Sequence, residues 1–126
     1  MSTTDPTITI PMTGRRPVRA SKADWPVVAR GNAHDPPGHE CQANTIWIVR
    51  VREHADGRRI VYGRQDEGPG GQLAGVVNPY AGYMVAPVDG APDDAATVDA
   101  VLRVCRTIGA EHLAQYTLAD LRPEDV

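Results

Sequence analysis

Three groups of side chains in this sequence have types that do chemistry. The first is His34, His39 and Cys41, with Asp35 and Glu40 beside them. Imidazole and thiolate are the ligands zinc prefers, usually four in a structural site and three plus water in a catalytic one. The spacing His-x4-His-x-Cys matches no strong zinc template, and a further ligand would have to come from His54 or His112. No metal site is assigned. Cys41 and His39 are also the types a thiol nucleophile and its base would use. No orienting third group or oxyanion hole accompanies them by pattern, so no catalytic residue is assigned.

The second group is Gly68-Pro69-Gly70-Gly71. A phosphate loop ends in Gly-Lys-Ser/Thr and opens a helix whose N-terminal amides hold the anion. Both are missing here, so this stretch reads as a flexible loop and no cofactor is expected. The third group is Arg50, Arg52, Arg58, Arg59 and Arg64 with Tyr62, gathered between residues 44 and 65. Guanidinium groups bind carboxylates and phosphates in a planar fork, and Arg and Tyr are enriched at binding hot spots. These six residues are the candidate partner-binding surface. Arg15, Arg16 and Arg19 form a smaller basic group earlier in the chain.

The elements that must position them follow from periodicity. Asn44 to His54 is the clearest strand, apolar on both faces in its first half and alternating in its second. Its first half is therefore expected to be covered on both sides and its second half to be partly exposed. Asp56-Gly57 marks a hairpin. A two-residue loop would set Val51 opposite Tyr62. A loop one residue longer, with Gly57 in the left-handed conformation, sets Val51 opposite Val61, Arg52 opposite Ile60 and Arg50 opposite Tyr62. Only the longer loop gathers Val49, Val51 and Val61 on one apolar face. The buried face sets register, so the bulged loop is expected.

Thr7 to Met12 and Arg15 to Ala20 read as a first hairpin turning at Thr13-Gly14. Pro11 and Pro17 cannot donate to a ladder, which points to a sheet edge. Trp25 to Ala29 suits a short helix or a strand, and Gly31 to Glu40 reads as loop. Leu73 to Val77 and Tyr80 to Val85 read as short strands. A helix is expected from about Asp94 to Ile108, with Val98, Val101, Leu102, Cys105 and Ile108 on its inner face and Gly109 as its stop. A second should span Ala110 to about Tyr116, with Leu113 and Tyr116 inward. Strands first and helices last give an α+β fold. The expected form is an antiparallel sheet of about four to six strands built from hairpins, with two C-terminal helices packed on one face. The 126 residues suit one domain, with residues 1–6 and 122–126 as loose tails.

Composition limits the function classes. Aromatic residues are 5% and there is no Phe, so the core must be aliphatic. The basic residues are almost all Arg, with Lys22 the exception. Residues 1–64 carry a formal charge of +4 and residues 65–126 carry −7, giving the net −3. Such polarity steers charged partners, or lets the two halves attract each other. Overall acidity and the lack of a helix-turn-helix pattern argue against a dedicated DNA binder. The N-terminus has neither the basic nor the apolar segment of a secretory signal, and no apolar run reaches membrane-spanning length. A cytoplasmic protein with no membrane partner is expected. Cys41 and Cys105 are then expected to be thiols.

Several segments together carry a resemblance. They are Ile8-Thr9-Ile10-Pro11, Thr13-Gly14-Arg15, Pro17-Val18, Asp24-Trp25-Pro26-Val27, Gln42-Ala43-Asn44, His54-Ala55-Asp56-Gly57-Arg58 and Ile60-Val61-Tyr62-Gly63. The first half of the chain thereby resembles a family of small uncharacterised proteins of bacterial mobile elements and phages. The resemblance implies a setting among accessory proteins of mobile DNA, some of which block host defence systems by binding them. It implies no site residues. The resulting expectation is a non-enzymatic accessory protein that occupies the surface of a protein or protein–nucleic acid complex. An inhibitor of a host defence system, such as an anti-CRISPR protein, is one form of it. The alternatives are a nucleic-acid-binding accessory protein using the Arg-rich hairpin, and a small metal- or thiol-dependent enzyme.

Overall fold

The computed structural model describes residues 6–34, 45–67 and 78–121. His39, Cys41, the Gly-rich stretch and the strand expected at 73–77 lie outside them, as do both chain ends. The elements run β1 (Thr7–Met12), β2 (Arg15–Ser21), β3 (Val27–His34), β4 (Thr45–Glu53), β5 (Arg59–Glu67), β6 (Tyr80–Val85), α1 (Asp94–Thr107) and α2 (Leu113–Leu121). Strands β3-β4-β5-β6 form an antiparallel sheet in that order, and β1-β2 form a separate two-stranded sheet. The fold is α+β.

The central hairpin has the bulged register. Val51 pairs with Val61, Arg52 with Ile60 and Arg50 with Tyr62. Gly57 has φ +94, and its N–H donates to the His54 carbonyl at 2.9 Å. A side chain in that conformation would be strained. Asp56 closes the turn by accepting from the Arg58 N–H at 3.0 Å. That backbone bond is the main reason its carboxyl is held below the ordinary carboxylate range.

Alternation along the strands builds two different faces. Val49, Val51, Val61 and Ala81 face the helices and meet Val101, Val104, Cys105 and Leu113 in the larger core. The helices come close because one row across the sheet is small. Gly31 pairs with Val49, Val49 with Gly63, and Gly63 with Ala81. Thr117 of α2 sits over Gly31, and Val104 of α1 sits over Gly63. The buried Thr117 hydroxyl donates to the Leu113 carbonyl at 2.9 Å, so that hydroxyl is satisfied in the core.

The opposite face carries the β1-β2 ribbon. Ile10, Met12 and Ala20 pack with Trp25 and Ile60 in a second core. The first hairpin was expected at a sheet edge; it is instead a third layer laid across the sheet. Its tip still reaches an edge: the Thr13 N–H donates to the Gly82 carbonyl at 2.9 Å, and the Gly82 N–H donates to the Thr13 hydroxyl at 3.1 Å. The other edge, β3, is guarded by α2, where Asp120 accepts from the Arg30 N–H at 2.8 Å. Both contacts blunt strand edges that would otherwise pair with another chain.

Four further expectations are corrected. β3 continues through Gly31 to His34, where the sequence reads as loop. Gly31 is there to admit Thr117, not to make a turn. The first half of β4 is half-buried and its second half holds the buried Val51 and Arg52, because the helix core covers Val51 on one face and the ribbon with Trp25 covers Arg52 on the other. On α1, Leu102 is 42% exposed and the inner face turns toward Thr97, Ala100 and Val104. The second helix starts later than expected, and Tyr116 is 61% exposed while Leu113, Ala114 and Thr117 are buried.

The ends of α1 match their chemistry. Asp93 caps the start, accepting from the Ala96 N–H at 3.0 Å. Gly109, at φ +79, ends it, with the Ala110 N–H donating to the Cys105 carbonyl at 2.8 Å. Arg59 ties this helix to the hairpin. It is 7% exposed and bonds Glu53 at 2.9 Å, Asp94 at 2.9 Å and the Thr97 hydroxyl at 3.1 Å. Removing one partner of a fully buried pair costs roughly 3–5 kcal/mol. Here Glu53 and Asp94 keep access to water, which lowers the loss. Arg59→Ala is expected to lower stability by about 2 kcal/mol, read as an earlier urea midpoint at unchanged slope.

Candidate functional site

The hairpin arginines divide by the parity of their positions. Arg59 lies on the helix face in the ion-pair cluster just described. Arg58 lies at the turn, its guanidinium 5.0 Å from the Trp25 ring centroid and its Nε donating to Asp56 at 2.7 Å. Trp25 also lies against His54, with ring centroids 5.0 Å apart. Arg52 is 8% exposed beneath the ribbon side of the sheet. Its Nε donates to the Tyr62 hydroxyl at 2.9 Å and one Nη donates to the Trp25 carbonyl at 2.8 Å. Arg52, Arg58 and Arg59 therefore serve the fold, and the six candidates do not share one open face.

Arg50, Tyr62 and Arg64 do share a face, the one opposite the helices. The structure adds Arg30, which pairs across β3 and β4 with Arg50. Reading Gly31 onward as loop hid it. The available signal was Arg30-Gly31-Asn32-Ala33, in which larger polar residues alternate with small ones. The ribbon covers Ile60 and packs against Tyr62 and Met84 at the β5-β6 side. Arg30 and Arg64 remain exposed and Arg50 is half-buried.

The electrostatics of Arg50 set it apart. One Nη donates to the Val49 carbonyl at 2.8 Å, the Asn32 side-chain oxygen at 2.8 Å and, weakly, the Gly31 carbonyl at 3.5 Å. All three acceptors are neutral, and among the described residues Arg50 makes no ion pair. Burial is the main pull lowering its pKa from the ordinary arginine value; Tyr62 opposes it, and the charges of Arg30, Arg52 and Arg64 add to it. Arginine does not deprotonate in proteins, so the face holds a cluster of fixed positive charges with little internal compensation. Among the described residues only Arg64 of this cluster has a carboxylate partner, Asp66 at 2.7 Å, and that pair is open to solvent. The strand alternation fixes the guanidinium stems, while solvent reaches their ends.

Beside the cluster lies a cleft of about 220 Å³ between β1 and the sheet. Ile8, Pro11 and Ile48 form apolar wall, Tyr62 and Tyr80 contribute rings, and Arg64 stands at its margin. Tyr80 is 45% exposed. Asp66 lies in this cleft beside Arg64, while Asp94, Asp99, Glu111 and Asp120 lie on or between the helices, on the far side of the sheet.

Of the nucleophile and metal candidates, His34 ends β3 and the others of its group lie outside the described residues. Among the described residues no group of three or more His, Cys, Asp or Glu could hold a metal ion. Cys105 is fully buried in the helix core, and burial pushes its thiol up to about 11. A thiol that holds its proton is a poor nucleophile. In a Cys41→Ser variant, which keeps Cys105 as the last cysteine, a thiol reagent at pH 8 is expected to label only on unfolding. The same burial works against the fold at high pH. The unfolded thiol ionises first, so this stabilisation is present below about pH 9 and is lost as pH rises toward about 11.

Among the described residues no helix is long and apolar enough to cross a membrane. Comparison with protein-family models, with curated proteins and with solved structures finds no match to this chain.

Proposed function

We propose that this chain is a non-enzymatic accessory binding protein that works by occupying an anionic surface of a partner macromolecule, with Arg30, Arg50 and Arg64 as its contacts. The observation that carries this is Arg50. It is half-buried, it stands with Arg30 across the strand pair and Arg64 diagonal to it, and its acceptors among the described residues are all neutral; burial first, and then the neighbouring guanidinium charges, pull its pKa down. A like-charge cluster in that setting is unfavourable to the fold by itself. A bound anion would relieve the repulsion and complete the hydrogen bonding. The resemblance of the first half of the chain to accessory proteins of mobile elements and phages is compatible with this role and suggests inhibition of a host defence complex as its form.

The test is retention on immobilised heparin, a generic polyanion. A protein of net charge −3 should pass through unless its positive charges are concentrated. Retention at about 0.1 M salt with release as screening increases is expected. Passage of the wild-type chain straight through at low salt would overturn the proposal.

A further inference from the structure

The cleft beside the arginine row indicates what kind of anion is bound. We propose that the partner is a single-stranded nucleic acid, one base of which enters the cleft between β1 and the sheet while its backbone crosses Arg30, Arg50 and Arg64. This rests on the anionic-partner proposal above and specifies its chemistry.

Three observations favour a nucleic acid over an acidic peptide. The cleft, about 220 Å³, falls below the roughly 300–1,000 Å³ range of ligand pockets but has room for a planar ring. Its apolar walls and the two tyrosine rings offer base stacking or edge contact, which accepts any base because every base has an apolar face. An aspartate or glutamate side chain would gain nothing from such walls. Polar groups also line the cleft: Gln65 and Asn78 each carry an amide able to donate and accept, Thr9 carries a hydroxyl, and the Asp66 carboxylate is held by Arg64 at 2.7 Å. That capacity suits a base edge.

The arginines lie beyond the slot in a usable line. Ile48 pairs with Arg64, and Arg50 pairs with Tyr62. The slot residues and the arginines therefore alternate on neighbouring strands. Arg50 stands diagonal to Arg64, roughly 7–8 Å apart at their stems, and directly across from Arg30. Flexible guanidiniums at that spacing can reach successive phosphates of an extended strand. A duplex keeps its bases stacked inside and can offer the slot nothing, so it would meet only the charges.

The experiment is fluorescence anisotropy of the full chain with a labelled ten-nucleotide thymidine strand, a duplex of equal length, and an abasic deoxyribose-phosphate oligomer of equal length. The thymidine strand should bind most tightly, with the abasic oligomer weaker by roughly tenfold. Tyr80→Ala, at an exposed position, should weaken strand binding by a similar factor, and Tyr80→Phe should retain it. Equal binding of the thymidine strand and the abasic oligomer, with Tyr80→Ala silent, overturns the base slot and leaves the basic face standing. Retention on heparin without binding of any oligonucleotide overturns the nucleic acid in favour of another anionic partner. Binding of no polyanion at all removes both proposals.

Discussion

Gly63→Val is expected to leave little folded protein, and Gly63→Ala to lower stability by about 3 kcal/mol, the upper end of ordinary overpacking. A Cβ at this position would stand 2.6 Å from Val104 Cγ1 and 2.7 Å from the Ile48 carbonyl oxygen. The first obstacle is a side chain on the helix; the second is backbone in the neighbouring strand and cannot turn away. Alanine restores some strand propensity, worth at most about 1 kcal/mol, which does not offset the overlap. Domains of this size hold roughly 5–15 kcal/mol in reserve, so valine, with two further carbons, should exhaust it. Urea unfolding followed by circular dichroism gives the comparison. Adding Val104→Ala should recover part of the loss in Gly63→Ala, because it removes one of the two obstacles, and the double variant should be more stable than the sum of the singles. An unchanged midpoint in Gly63→Ala would mean that α1 does not sit on the sheet at this point.

Reversing Arg30, Arg50 and Arg64 together to Glu is the second large effect. If these three side chains contact successive anionic groups, their loss removes about 0.7 from the slope of log K against log salt per contact, or about 2 in all. At 0.1 M salt the affinity for a polyanion should fall by at least a hundredfold, near the limit of detection. The charge-matched control is Arg15→Glu with Arg16→Glu and Arg19→Glu on β2, where all three positions are exposed. It changes net charge by the same amount on the ribbon and not on the sheet strands, and it should weaken binding only modestly. Equal losses in the two triples would assign the effect to overall charge. The sheet-face triple gives up the Arg50 hydrogen bonds to Asn32 and Val49 and the Arg64 pair with Asp66, so it should cost about 1–2 kcal/mol of stability; the Arg30 contact to Asp120 is made by its backbone and is kept, and circular dichroism checks that the variant is folded before binding is compared.

Much of the central hairpin was legible in the sequence. Val49, Val51 and Val61 demand one face, and Gly57 supplies the one turn that grants it. The same parity also assigns Arg59 to the valine face. That placement was available from the sequence alone, because Arg58 and Arg59 are adjacent and cannot both join Arg50 and Tyr62. The position of Arg52 was not available. Its parity is right, but whether it is open depends on where the β1-β2 ribbon lies, and nothing local in Thr7–Ser21 distinguishes a strand pair at a sheet edge from one laid across a face. Long-range packing decides it, through Ile10, Met12 and Trp25 meeting Ile60. Arg30 was hidden for a related reason. Glycine reads as a turn by propensity, whereas Gly31 is selected by the approach of Thr117, an event far along the chain. On α1 the apolar pattern favoured Leu102, but the small row across the sheet receives Val104 instead, and Leu102 turns outward.

The most direct test of the central claim observes the guanidinium groups themselves. In a spectrum of arginine side-chain Nε–H resonances, a short thymidine strand or a heparin fragment should be titrated into the full chain. The signals of Arg30, Arg50 and Arg64 are expected to move together and saturate at one stoichiometry, while Arg59, Arg103 and Arg106 on the helix side stay in place. Movement confined to Arg15, Arg16 and Arg19, or no movement at saturating polyanion, would contradict the assignment of the sheet face as the binding surface.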